Sequence, residues 1–218
     1  MVTNRNIGSV LRRIRQMAGA WPQPSVSEIA ESSGKPFNVL VSTILSLRTK
    51  DAVTLAASRR LFGKADRPET MVKIPLAQME KLIYPVAFYK MKSRTIVAIC
   101  RQLLDAYDGR VPASMEALMK FKGVGRKTAN LTLVLGFGIP AMCVDTHVHR
   151  ISNRLGYIQT KTADKSEMAL RSVLPKRHWM TYNDLLVAFG QNICKPVSPH
   201  CSLCPIHECP RLGVGRSR

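Results

Sequence analysis

The sequence predicts an all-α fold, on three observations. Apolar residues recur at helical spacing through almost every segment, Gly and Pro punctuate those segments, and no stretch sustains the alternation of a half-buried strand. With 218 residues the chain is long enough to bury roughly 70% of its unfolded surface, as one domain or two compact lobes.

Each element has its own warrant. Ile7, Val10, Leu11, Ile14 and Met17 share one helical face, with Arg5, Arg12, Arg13 and Arg15 on the other. A transit peptide or a membrane-surface helix has a similar pattern; an ordinary helix packed on the domain is the preferred reading. Helices are then expected over residues 39–47, 52–62, 76–83, 90–107 and 184–189. They are separated by Gly34 with Pro36, Gly63, Pro68, Pro75, Pro85, Gly109 with Pro112, Pro140, Gly156 and Pro175. Ser114 can cap a short helix that carries Met115, Leu118 and Met119 on one face and ends near Lys120. Gly123 and Gly125 permit a tight reversal, after which a second helix runs from Arg126 to Gly136. Asp145 stands at an N-cap position ahead of Val148, Ile151 and Leu155, and Gly156 closes that helix. The order is helix, hairpin, helix, extended segment, capped helix. After Gly190 cysteine and proline crowd together and periodicity stops.

Lys plus Arg is 33 against 14 acidic residues, a net charge of +19 that points to a polyanionic partner. No membrane span is expected, because the longest apolar run, residues 131–144, is short and broken by Gly136, Gly138 and Pro140. The expected location is cytoplasmic and nucleoid-associated. Disulfides are rare in such a compartment, so clustered cysteines there point to metal.

Two clusters carry chemistry. The stretch Lys122-Gly123-Val124-Gly125-Arg126-Lys127 places backbone N–H groups at the opening of a helix, a seat for phosphate, with an amine beside it. On these residues alone Lys127 is a phosphate clamp or a nucleophile, and Asp145 is a cap or a catalytic carboxylate. Cys194, Cys201, Cys204 and Cys209 form a C-x6-C-x2-C-x4-C pattern. Zinc sites usually take two short-spaced cysteine pairs, and only Cys201 and Cys204 are so spaced, so a 4Fe–4S cluster suits the pattern better. Cys100 and Cys143 sit among apolar residues and read as small core side chains.

Taken in order, Leu45-Ser46-Leu47-Arg48-Thr49-Lys50-Asp51, Gly123-Val124-Gly125-Arg126-Lys127, Val144-Asp145-Thr146-His147 and the cysteine loop resemble the endonuclease III family. These are helix-hairpin-helix DNA glycosylases, and the resemblance runs from Phe37 to Cys209. It implies a six-helix barrel with the hairpin at residues 29–139, and an iron–sulfur domain from residues 1–28 and 140–218. Double-stranded DNA with a damaged base or abasic site would lie across the cleft, bound by a monomer. Lys127 becomes the nucleophile, Asp145 the catalytic carboxylate, and the four cysteines ligate the cluster. Arg48, Thr49, Lys50, Lys122, Gly123, Val124, Gly125 and Arg126 become DNA contacts. The implied activity is removal of oxidised pyrimidines with abasic-site lyase cleavage.

Three positions depart from the family pattern. Lys122 stands where proline is frequent, Arg48 where many members have glutamine, and the last cysteine gap is four residues instead of five. Arg48, Thr49 and Lys50 also read as a solvated basic helix end. The aromatics of residues 84–89 face DNA or pack in the core, and His147 and His149 read as polar or capping residues. A monofunctional mismatch glycosylase and a non-catalytic DNA-binding redox sensor are the competing functions. The lysine at 127 argues against the former, whose known relatives lack it.

Overall fold

The computed structural model describes residues 1–218, which form twelve α-helices and no strand. They divide into two compact units, Pro24–Ile139 and a discontinuous unit of Met1–Gln23 with Pro140–Arg218.

In the continuous unit, α2 (Ser25–Ser33) and α3 (Pro36–Ser46) are followed by α4 (Asp51–Lys64), α5 (Pro68–Met71), α6 (Leu76–Ile83) and α7 (Tyr89–Tyr107). The hairpin helices α8 (Met115–Leu118) and α9 (Arg126–Leu131) complete it, with a π-helical turn over Thr132–Gly136. Helix α3 is the centre. Every residue from Phe37 to Leu45 is buried, so it is enclosed on all sides instead of along one stripe. It packs on α2, α4, α7, α9 and the π turn. Two of its buried hydroxyls are satisfied internally: Ser42 donates to the Asn38 carbonyl and Thr43 to that of Val39, both at 2.7 Å. Gly136 lets the π turn reach the start of α3, since a Cβ there would lie 3.1 Å from the Pro36 Cα.

The discontinuous unit holds α1 (Ile7–Ala18), α10 (Thr146–Arg154), α11 (Ala163–Val173) and α12 (Trp179–Asn192). The face of α1 read from spacing is the buried one: Ile7, Val10, Leu11 and Ile14 join Val148, Ile151, Leu170, Tyr182, Leu186 and Phe189 in one core. Arg13, on the other face, donates to the Glu208 carboxylate and the Pro205 carbonyl. It fastens the first helix to the last loop. The Tyr182 hydroxyl meets Ser152 Oγ at 3.0 Å, which satisfies both buried hydroxyls.

The structure corrects several expectations. The boundary expected at 28/29 falls inside α2. That helix was missed because only Val26 and Ile29 mark its apolar face, and the unit begins at Pro24 instead. Gly63, read as a break, lies within α4, with open space where a side chain would project. The helix after the hairpin is α-helical only to Leu131. There the Thr132 hydroxyl takes the Thr128 carbonyl at 2.8 Å, a back-bond that competes with the backbone ladder at the point of widening. Helix α11 was also missed; its N-cap is Thr162, whose side chain accepts from Lys165 N.

Candidate functional site

The hairpin is built on two buried side chains. Phe121 is buried with its ring 5.6 Å from that of Tyr107, and Val124 is buried one turn later. The Ser114 hydroxyl caps α8 by accepting from Ala117 N. Between these anchors Gly123 adopts φ +86°, a left-handed conformation that L side chains resist. A Cβ on Gly123 would also stand 2.9 Å from Thr95 Cγ2. Gly123→Ala is therefore expected to cost about 1–3 kcal/mol of stability, read as a lower urea midpoint with an unchanged slope.

Gly125 is different, and only half of the expectation for the two glycines holds. Its φ is −98° and its ψ is −178°, which any residue adopts, and nothing lies within 4 Å of where its Cβ would be. Neither conformation nor packing demands glycine there. Its absent side chain leaves open approach to the backbone at the start of α9. Lys122 and Gly125 are exposed, Arg126 and Lys127 are half-buried, and Thr128 through Leu131 are buried. Lys127 is thus the second residue of α9, two positions past the open glycine.

Asp145 caps α10. Its Oδ1 accepts from His147 N at 2.8 Å and Val148 N at 2.9 Å, the arrangement its position predicts. Further along α10, Arg150 meets His147 Nδ1 at 3.1 Å and donates to the Cys194 carbonyl. Gly190 permits that approach, because a Cβ there would lie 2.4 Å from His147 Nδ1. His147 is therefore more than a surface polar residue. His149 meets Ser166 Oγ at 2.6 Å and holds the turn before α11.

The expected DNA-contact loop after α3 has an ordered basis. Arg48 and Lys50 are exposed and Thr49 is half-buried. Arg48 has φ +56°, and its guanidinium lies 5.0 Å from the centre of the exposed Phe88 ring. Of the aromatics in residues 84–89, Tyr84 and Phe88 are exposed, so core packing does not account for them. Lys92 was missed. It occupies a position on the buried face of α7, with Ser93, Ile96, Ile99 and Cys100, and that was the available signal: a lysine in an apolar stripe.

Cys194, Cys201, Cys204 and Cys209 line one pocket, with Leu155, Phe189, Ile193 and Ile206 among its walls. The shortened last gap still delivers Cys209, through a turn closed by Cys209 N donating to the Ile206 carbonyl. Arg154, 8% exposed, donates to Cys194 Sγ at 3.5 Å and to the Lys195 and Pro196 carbonyls. Arg211 N donates to Cys209 Sγ at 3.4 Å. Burial pushes the Cys204 and Cys209 thiols above the ordinary range. No three His, Cys, Asp or Glu side chains stand close enough to hold a metal ion as they are placed. Cys100 and Cys143 are buried core residues, with burial pushing the Cys100 thiol up to about 12. No helix is long and apolar enough to cross a membrane.

Residues 41–176 match the HhH-GPD superfamily of base excision DNA repair proteins. Endonuclease III of Thermotoga maritima is 48% identical over 169 residues, covering 78% of this chain and 79% of its own length. Among solved structures, a non-covalent endonuclease III–DNA complex is 35% identical with a TM-score of 0.85. A trapped endonuclease III–DNA covalent intermediate, an estranged-adenine complex, is 33% identical with a TM-score of 0.83. Each alignment covers 97% of both chains. The chain therefore belongs to the HhH-GPD superfamily of base excision DNA repair proteins and, within it, to the endonuclease III family.

Proposed function

We propose that the protein is a bifunctional DNA glycosylase and abasic-site lyase acting on oxidised pyrimidines in duplex DNA. The observation that carries this reading is the placement of Lys127 in the first turn of α9, two residues past a position that needs no glycine for its own fold. That the 33%-identical relative was trapped as a covalent intermediate with DNA supports the same chemistry. The open Gly125 backbone suits phosphate, and Lys122, Gly123, Val124 and Arg126 surround it. Arg48, Thr49 and Lys50 form a second contact region. The +19 charge favours this polyanion as partner.

The reaction begins when the damaged nucleotide leaves the stack. The neutral Lys127 amine attacks the sugar C1′, and the bond from C1′ to the base breaks, with the base taking the electron pair and then a proton. Ring opening leaves a Schiff base. Loss of a C2′ proton then expels the 3′ phosphate and cuts the strand, and water releases the lysine. Asp145 stabilises positive charge developing at the sugar or relays the lysine proton.

Cys194, Cys201, Cys204 and Cys209 would hold a 4Fe–4S cluster. Four thiols on one apolar-walled pocket, with N–H donors directed at sulfur, fit such a group. When bound, it supplies a cross-link between distant parts of the loop and a possible electron store. The Pro24–Ile139 unit serves as the barrel domain with the hairpin, and the other unit as the cluster domain. The protein works as a monomer in the DNA-containing cytoplasm. Protein prepared without oxygen is expected to be brown, with about four irons and four sulfides per chain. Cys204→Ala should lower both together with the melting temperature. Stoichiometric zinc with no colour would overturn the cluster assignment.

The activity is tested with duplexes holding an oxidised pyrimidine, uracil, a thymine–guanine mismatch or an abasic site, with borohydride present. Base release and a trapped protein–DNA adduct on the oxidised pyrimidine are expected. Release without trapping would mean a monofunctional glycosylase, and tight binding without release a redox sensor.

A further inference from the structure

Lys92 is 4% exposed, yet its amine is fully engaged. From the first turn of α7, Nζ donates to the Leu45 carbonyl at 2.8 Å, the Leu47 carbonyl at 2.6 Å and Thr49 Oγ1 at 3.2 Å. Leu45 lies in the last turn of α3 and Leu47 just beyond it. Carbonyls at a helix end lack helical donors and carry its negative pole, which suits an ammonium. Burial pushes Lys92 down to about 8, and three neutral oxygens are all that compensate it.

The same contacts join two segments. Thr49 Oγ1 accepts from Ala87 N at 3.2 Å while it also serves Lys92. Between those tie points lie two residues in left-handed conformation, Arg48 at φ +56° and Phe88 at φ +58°. Such residues are strained and persist only where the surroundings hold them. What they achieve is the stacking of the Arg48 guanidinium on Phe88, whose ring is 52% exposed. An exposed cation stacked on an exposed aromatic has already lost the side-chain freedom that binding would otherwise remove.

We propose that Lys92 is a positioning residue for DNA binding: it clamps residues 45–49 to the turn at Ala87 so that Arg48 is presented to DNA already stacked on Phe88. It acts through Arg48 and touches no DNA itself. The proposal rests on the glycosylase reading above. Arginine is a strong donor toward base edges, and a pre-set one discriminates among opposite bases better than a mobile one.

The test measures KM and kcat for the wild type, Lys92→Met, Arg48→Ala and the double variant, on one lesion paired in turn with each of the four bases. Lys92→Met is expected to raise KM about tenfold and to narrow the spread among opposite bases, with kcat changed less than about twofold. In the Arg48→Ala background Lys92→Met should add little, because both substitutions remove one function. The circular dichroism spectrum of Lys92→Met, expected to match that of the wild type at the assay temperature, guards against misfolding. An unchanged KM in Lys92→Met would overturn the proposal, as would full additivity with Arg48→Ala or an equal fall in kcat. If the wild type releases no base from any lesion, the glycosylase reading fails first and the proposal with it.

Discussion

Lys127→Gln is expected to abolish the borohydride-trapped adduct and to lower base release at least about 10³-fold. Glutamine keeps the helix propensity of lysine and is only one atom shorter, so the change removes the nucleophile and leaves α9 intact. The position favours a clean result. Lys127 is half-buried in the first turn, ahead of the buried run from Thr128 to Leu131, so it does not fill the core. The melting temperature should move by no more than about 4 °C. Binding to an abasic-site analogue should survive, since Lys122, Arg126 and the Gly125 backbone remain. A Lys127→Gln protein that still forms the adduct would assign the nucleophile elsewhere.

The second large effect separates two tasks of one side chain. Asp145 caps α10 through Oδ1. Asparagine caps a helix about as well as aspartate, so Asp145→Asn should preserve folding and lower kcat by about 10²–10⁴-fold. Alanine should add a stability loss of about 0.5–2 kcal/mol to the same catalytic defect. If asparagine is fully active, the carboxylate is a cap and nothing more. Comparing the two variants by kcat and by urea midpoint decides the matter.

The hairpin turn and the cap of α10 were legible because each belongs to a short, directional pattern. Gly123 is demanded by a left-handed turn, and Asp145 by an exposed helix start. The all-α class was legible for a similar reason: apolar spacing on α1 and α7 survives into the buried faces of those helices. Where apolar residues were sparse the signal failed. Helix α2 buries Ser25 and Ser27 beside Val26 and Ile29, a face that local composition does not announce. The π turn at Thr132 depends on a hydroxyl back-bond and on the approach of Gly136 to Pro36, a contact across distant sequence. Lys92 shows the same limit. Its meaning lies in carbonyls more than forty residues away in the chain, so only the folded backbone discloses that a buried lysine there is satisfied.

The fastening of α1 to the final loop by Arg13 has a consequence for how the protein is made. The first helix belongs to a unit whose remaining parts lie beyond residue 139. During synthesis α1 leaves the ribosome long before Val148, Leu170, Tyr182 and Phe189 exist to cover its apolar face. The intervening Pro24–Ile139 segment is continuous and can fold as it emerges. Once folded it replaces a long loose loop between α1 and its late partners. Until then Arg12, Arg13 and Arg15 line the other side of α1 and keep the waiting helix in water. The nascent chain thus carries its own solubilising charge until Glu208 is translated and Arg13 finds its partner.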